Sequence, residues 1–186
     1  MTLIPIIRLT FRSPREAAST LLSIGVPPNA VAMAFLLVMI LSVLVTEPLM
    51  AMVPADAFGP RMAPISRLLL TAPFSAALVW MIWKLGNAFG GQGRLLDAFV
   101  VFVYLEAFLA AGLATMLVLI FASTFLAGLF GLALTLFWAW LFGVFYAEVF
   151  DFDSPFKALG TVILAWFIVY VAGIVLLSLV AGGGTV

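Results

Sequence analysis

The chain has 186 residues, of which 66% are hydrophobic and 9% charged, with no histidine and no cysteine. A soluble domain is nearer half apolar and a quarter charged, and a core of this size cannot hide the excess, so water is excluded as the main solvent. The missing cysteine removes disulfides and thiolates, the missing histidine removes the imidazole base and the usual zinc or haem ligand, and eight basic residues cancelling eight acidic ones leave no global field to gather nucleic acid.

Ser13-Pro14-Arg15-Glu16 has the form of a helix start. Serine suits the cap, proline the first turn, and glutamate three residues on can close a capping box. The helix is predicted over Pro14–Ile24, stopping near Gly25 before Pro27-Pro28. On a 3.6-residue wheel Ala17, Ala18, Leu21, Leu22 and Ile24 share one side, opposite Arg15, Glu16, Ser19, Thr20 and Ser23. Too short to cross a bilayer, this segment is expected to lie flat in the interface, its apolar side among the lipids. Residues 1–28 thus read as an N-terminal cytoplasmic arm and 29–186 as a membrane domain. The arm is longer than the basic start of a signal peptide, so no cleavage is expected, although Ala55-Asp56-Ala57 imitates a cleavage site.

A bilayer core of ~30 Å needs ~20 apolar helical residues. The first candidate span, about Ala30 to Val45, is short and is predicted to end before Glu47-Pro48. The second runs from about Leu68 to Leu85, with a kink expected at Pro73. The apolar run from Ala98 to Ala147 would extend ~75 Å as one helix, so it must fold back. Ala122-Ser123-Thr124 is the predicted turn between a third span, Ala98–Phe121, and a fourth, Phe125–Ala147. The fifth runs from about Phe156 to Val180, before Gly182-Gly183-Gly184. All are helices, because lipid leaves no partner for open backbone groups. The fold class is all-α: a polytopic membrane protein of five transmembrane helices preceded by a short amphipathic interfacial helix.

With the N-terminus in the cytoplasm, the cytoplasmic segments hold Arg8, Arg12, Arg15, Lys84, Arg94 and Lys157, and the far side holds Arg61 and Arg67. The positive-inside rule therefore favours N-in and C-out, with Trp80, Trp83 and Tyr146 expected in an inner aromatic belt. Ala107, Ala111 and Thr115 form one small-residue rail and Ala127, Gly131 and Thr135 another, a spacing that lets helices pack closely or dimerise in lipid.

Three places depart from the apolar background. Glu106 lies nine residues into the third span, where a charged carboxylate costs at least ~2.5–3.5 kcal/mol on insertion scales. It can carry a proton, bind a cation, or accept hydrogen bonds from a neighbouring helix. No second ionisable group is expected at its depth. Gly90-Gly91-Gln92-Gly93-Arg94 can offer amides and Arg94 to a lipid phosphate, although no Gly-Lys-Ser/Thr follows to make a nucleotide loop; a turn leading into the third span is the simpler reading. Glu148, Asp151 and Asp153 are oxygen ligands in number but lack a calcium loop's series. They are expected at the interface, with Asp153 or Ser154 capping the fifth span and the acids pairing with basic residues on the same face. No metal or other cofactor is expected.

Phe11-Arg12-Ser13-Pro14 before the first span, Gly90-Gly91-Gln92-Gly93 before the third, and Ala147-Glu148 through Asp153-Ser154 between the fourth and fifth together resemble the Ypt-interacting-protein (Yip) family of five-span membrane proteins, in its bacterial branch. The arrangement covers nearly the whole chain. In the third span, where family members often carry tyrosine followed closely by proline, Tyr104 stands without the proline. The resemblance implies a cytosolic N-terminus, five helices and no enzyme activity. Eukaryotic relatives bind prenylated Rab-type GTPases; the arm here is shorter than their cytosolic domains.

Two functions stay open. The first is a non-enzymatic membrane scaffold that engages membrane lipids, partner membrane proteins or a second copy of itself, set in a bacterial inner membrane. The second is a small transporter, channel or lipid-moving protein that uses Glu106. The surroundings of Glu106 separate them: closed contact with one or two donors for the scaffold, a cavity reaching one surface for the conduit.

Overall fold

The structure, a computed structural model, describes residues 4–52 and 62–182. Arg61, the Ala55-Asp56-Ala57 site and Gly183-Gly184 lie outside the described residues. Every regular element among the described residues is helical: α1 (Ile4–Arg12), α2 (Pro14–Ser23), α3 (Pro28–Ala51), α4 (Pro64–Ala88), α5 (Leu95–Ala122), α6 (Thr124–Phe150) and α7 (Pro155–Gly182). The last five are long and apolar enough to cross a bilayer.

The predicted turn at residues 122–124 is present. Ser123 ends α5 and caps α6, its hydroxyl accepting from the Leu126 N–H at 3.4 Å. Ser154 caps the start of α7 in the same way, accepting from the Phe156 N–H at 3.3 Å. The early end expected for the first span is corrected. α3 continues through Glu47-Pro48 to Ala51 and is 24 residues long, so it needs no local thinning of the bilayer. Proline removes one N–H from a helix interior, and here the remaining turn tolerates that loss. α4 likewise runs unbroken through Pro73.

Around α6 the bundle is densest. α6 packs on α5, α7 and α2, and α3 on α5. From Leu141 to Phe150 every α6 side chain except Glu148 is buried, the pattern of a helix wrapped on all sides. Two hydrogen bonds cross from it to α5: the Trp138 indole N–H to the Leu105 carbonyl at 3.1 Å and the Tyr146 hydroxyl to the Ala98 carbonyl at 3.2 Å. Tyr146 is therefore a core residue, fully buried, and not part of an aromatic belt. Its ring could not reach water without leaving its bond to Ala98.

The N-terminal arm holds two helices rather than one. α1 was not foreseen, yet its signal is present: Ile6 and Thr10 are buried on one side while Arg8 and Arg12 are exposed on another. α2 matches the predicted Pro14–Ile24 segment within a residue and ends at Gly25 with φ of 64°. Two details differ. Ser13 makes no side-chain cap, and its N–H, which Glu16 would take in a capping box, donates instead to the Leu9 carbonyl of the preceding helix at 2.7 Å. Nor is the α2 apolar face turned to lipid, since Ala17, Ala18 and Leu21 are buried and α2 packs on α6 and α5.

Candidate functional site

Glu106 sits twelve residues into α5, and one hydrogen bond ties it to α3: the Ser42 hydroxyl donates to Oε1 at 2.9 Å. The two groups line a cavity of about 230 Å³ between α3, α4 and α5, together with Thr46, Arg67, Thr71 and Ser75. The polar residues fall on two helical stripes. Ser42 and Thr46 are four apart on α3; Arg67, Thr71 and Ser75 are successive fours on α4. Residues four apart share one helix face, so the stripes face each other across the cavity.

The hydroxyls are not equivalent. Thr46 donates to the Ser42 carbonyl at 2.8 Å and Thr71 to the Arg67 carbonyl at 2.9 Å, so both are satisfied within their own helices. Ser42 alone reaches across to the carboxyl. At the far end from the glycine loop, Arg67 Nη1 stands 2.9 Å from Glu47 Oε1. That contact is a charge pair without hydrogen-bond alignment, since Glu47 Oε1 has no hydrogen-bond partner.

No second ionisable group was expected at the depth of Glu106, yet one reaches its cavity from the end of α4. Arg67 lines the same cavity, with Glu47 beside it. Both were cut off by span boundaries drawn at Val45 and Leu68. The i, i+4 repeat of polar residues inside two apolar helices was the signal that would have found them.

The other sequence candidates gather at the opposite end of the bundle. Glu148 pairs with Arg15 of α2 at 3.3 Å, and the same guanidinium donates to the Phe152 carbonyl at 3.4 Å. This fastens the arm to the α6–α7 turn, as opposite charges on one face led us to expect. Asp151 is exposed, with φ of 56°, and ends α6 in a left-handed turn. Asp153 is exposed beside it. Among the described residues these acids do not converge into a metal-holding group. Arg94 is exposed at the start of α5.

The glycine loop beside Arg94 is a packing device. Gly86, Gly91 and Gly93 surround the Phe150 side chain so closely that an added Cβ would stand 2.4, 2.8 and 2.6 Å from it. The Trp83 indole and the Asn87 amide both donate to the Gly93 carbonyl, at 2.9 and 3.2 Å. The Gln92 N–H points to the Phe150 carbonyl at 3.4 Å. A loop bound to α6 in this manner is not an open cradle for phosphate.

The sequence model described as the Yip1 domain matches residues 8–176. That match covers α2 to α6 entire and most of α1 and α7, and the chain belongs to that family. No curated protein and no solved structure matches it.

Proposed function

We propose that this Yip1-domain membrane protein is a non-enzymatic scaffold, whose working surface is the end of the bundle that carries α1, α2 and the glycine loop. One observation carries the reading: that end is a single braced platform. Arg15 ties α2 to Glu148 and Phe152, and the glycine loop is packed on Phe150. Arg8, Arg12, Arg94, Asp151 and Asp153 remain exposed on it. Fixed charges of both signs on a rigid face are what a partner surface needs for orientation and specificity. The positive-inside rule places this platform in the cytoplasm, with the C-terminus outside. A bacterial inner membrane suits the short arm, and the partners are membrane lipids and other membrane proteins or a second copy of the chain.

The cavity at Glu106 supports a second reading, a conduit for a small solute or proton. Proteoliposomes separate the two. A scaffold leaves an imposed pH gradient decaying at the rate of empty vesicles. Decay faster than that, abolished by Glu106→Gln, would replace the scaffold with the conduit. For the scaffold itself, Asp151→Ala/Asp153→Ala/Arg94→Ala should shift the protein from a larger assembly to its free size on native gels of mild detergent extracts. An unchanged assembly would remove the platform from the argument.

A further inference from the structure

We propose that the cavity at Glu106 is a binding site for a small monovalent cation, entered from the end of the bundle opposite the platform. The proposal gives that cavity a ligand whether or not anything crosses the membrane, so it rests on neither the scaffold nor the conduit. Toward the platform the cavity is shut. One to two turns from Glu106, Ser42 and Ser75 in that direction stand Phe102 of α5, Val38 and Phe35 of α3, and Leu78 and Val79 of α4, all buried in one core cluster. Phe35 also meets Phe99 and Phe102, at 5.7 and 6.0 Å between ring centres. Side chains packed in this way leave no polar route to the glycine loop.

In the other direction the polar lining continues. From Ser75 through Thr71 to Arg67 α4 climbs about 12 Å, and Arg67 lies one turn from the start of that helix. Glu106, twelve residues into α5, is about 16 Å along it, near the middle of a ~30 Å hydrocarbon core. The hydroxyl stripe thus leads from the far end of the bundle to a carboxyl at half depth, where it stops against the core.

What this lining still offers is lone pairs. The Ser42 proton goes to Glu106, the Thr46 proton to the Ser42 carbonyl and the Thr71 proton to the Arg67 carbonyl. With their protons committed, the three hydroxyl oxygens can only accept, which suits a cation and turns away an anion. The charges agree. Arg67 is held by Glu47 at 2.9 Å, while no cation is paired with the Glu106 carboxyl among the described residues. A carboxylate removed from water is stabilised by a cation beside it, and acids within membrane helices mark ion sites. One carboxyl matches one positive charge, and among the described residues no group of three acids converges to hold a divalent ion. The volume of about 230 Å³ has room for about seven waters at ~30 Å³ each, so sodium, potassium or ammonium enters with part of its hydration shell.

The chain has no cysteine, so single cysteines report access directly. In right-side-out and inverted membrane vesicles of the expression host, Ser75→Cys should react with a membrane-impermeant thiol reagent from the face opposite the one that labels Asp153→Cys on the platform. Leu78→Cys, one turn deeper, should react from neither face. Thr71→Cys takes the place of Ser75→Cys if that variant fails to fold. Sodium, potassium and ammonium chloride are then tried singly against N-methylglucamine chloride at equal ionic strength. At ten times its Kd, a cation that binds should slow the labelling of Ser75→Cys about tenfold, and Glu106→Gln should abolish that protection. Labelling of Ser75→Cys from the platform face, or of neither cavity cysteine from either face, overturns the proposal. So does the absence of protection by all three ions, or protection that survives Glu106→Gln. Protection without flux refutes only the conduit, and flux without protection refutes only this site, so the two ideas can fail separately.

Discussion

Replacing Gly86 with alanine should destabilise the protein, and removing the Phe150 ring should cancel that effect. Gly86 lies inside α4, where a Cβ would stand 2.4 Å from Phe150 Cζ. Phe150 is 1% exposed and lies between Tyr146, stacked at 6.0 Å, and Phe152, tilted at 5.5 Å, so it has little room to retreat. Overpacking of this kind costs about 1–3 kcal/mol, offset by up to about 1 kcal/mol from the better helix propensity of alanine. Phe150→Ala should cost about 3–5 kcal/mol through lost contact and a cavity. In the double variant the new methyl enters the space that the ring vacates. Its instability should then equal that of Phe150→Ala or fall below it, a coupling of about 1–3 kcal/mol. Gly90 is the control. Its φ is 90°, and a Cβ there meets nothing within 4 Å, so Gly90→Ala should add a backbone cost of about 1–2 kcal/mol with or without the ring. Reversible denaturant unfolding in detergent micelles, followed by circular dichroism, measures all six proteins. Additivity of Gly86→Ala and Phe150→Ala within about 0.5 kcal/mol would refute the packing account of the glycine loop.

At Glu106 the glutamine variant keeps an acceptor for Ser42 and should unfold within about 0.5 kcal/mol of wild type, whereas Glu106→Ala should lose about 0.6–1 kcal/mol; equal losses in thermal melts would mean that the carboxylate itself matters. Tyr146→Phe strips the buried hydroxyl from the Ala98 carbonyl and should cost about 1 kcal/mol, read by the same melts. Arg15→Ala breaks a half-exposed pair, so less than about 1 kcal/mol is expected, shrinking further in high salt. The same variant should expose the α1–α2 arm to limited proteolysis, and a wild-type cleavage pattern would show that α2 is held by Ala17, Ala18 and Leu21 alone.

Much of this architecture was legible because lipid narrows the choices. An apolar run as long as Ala98–Ala147 has to turn, and Ser123 was the residue able to cap the returning helix. That acids of the α6–α7 turn pair with basic residues followed from their signs and a shared face, and the structure supplies the pair, Arg15 with Glu148. What escaped was whatever depended on contacts between helices. The wheel of α2 told which side was apolar, but not that α5 and α6, rather than lipid, cover it. The glycine loop offered two readings in sequence, and only the approach of Phe150 decides between them. Tyr146 sits next to the polar turn in sequence, yet its ring points into the core. The family resemblance drawn from loosely spaced motifs was sound, as the match over residues 8–176 shows.

Glu106 shows why depth counted along one helix misjudges a membrane site. Counted along α5, it has no ionisable neighbour. Across the bundle, the α4 stripe carries the cavity from Ser75 near the middle of the helix to Arg67 one turn from its end. Arg67 is already paired with Glu47, and no cation is paired with the Glu106 carboxyl among the described residues. Only Ser42 among the lining hydroxyls makes a bond between helices, and that bond joins α3 to α5, which also meet through Phe35 against Phe99 and Phe102. Loss of the Ser42 bond therefore leaves the helix pair packed. The structural share of Glu106 is small against an insertion cost of ~2.5–3.5 kcal/mol. That imbalance, rather than the mere presence of a carboxyl in lipid, is the argument for measuring flux through this cavity.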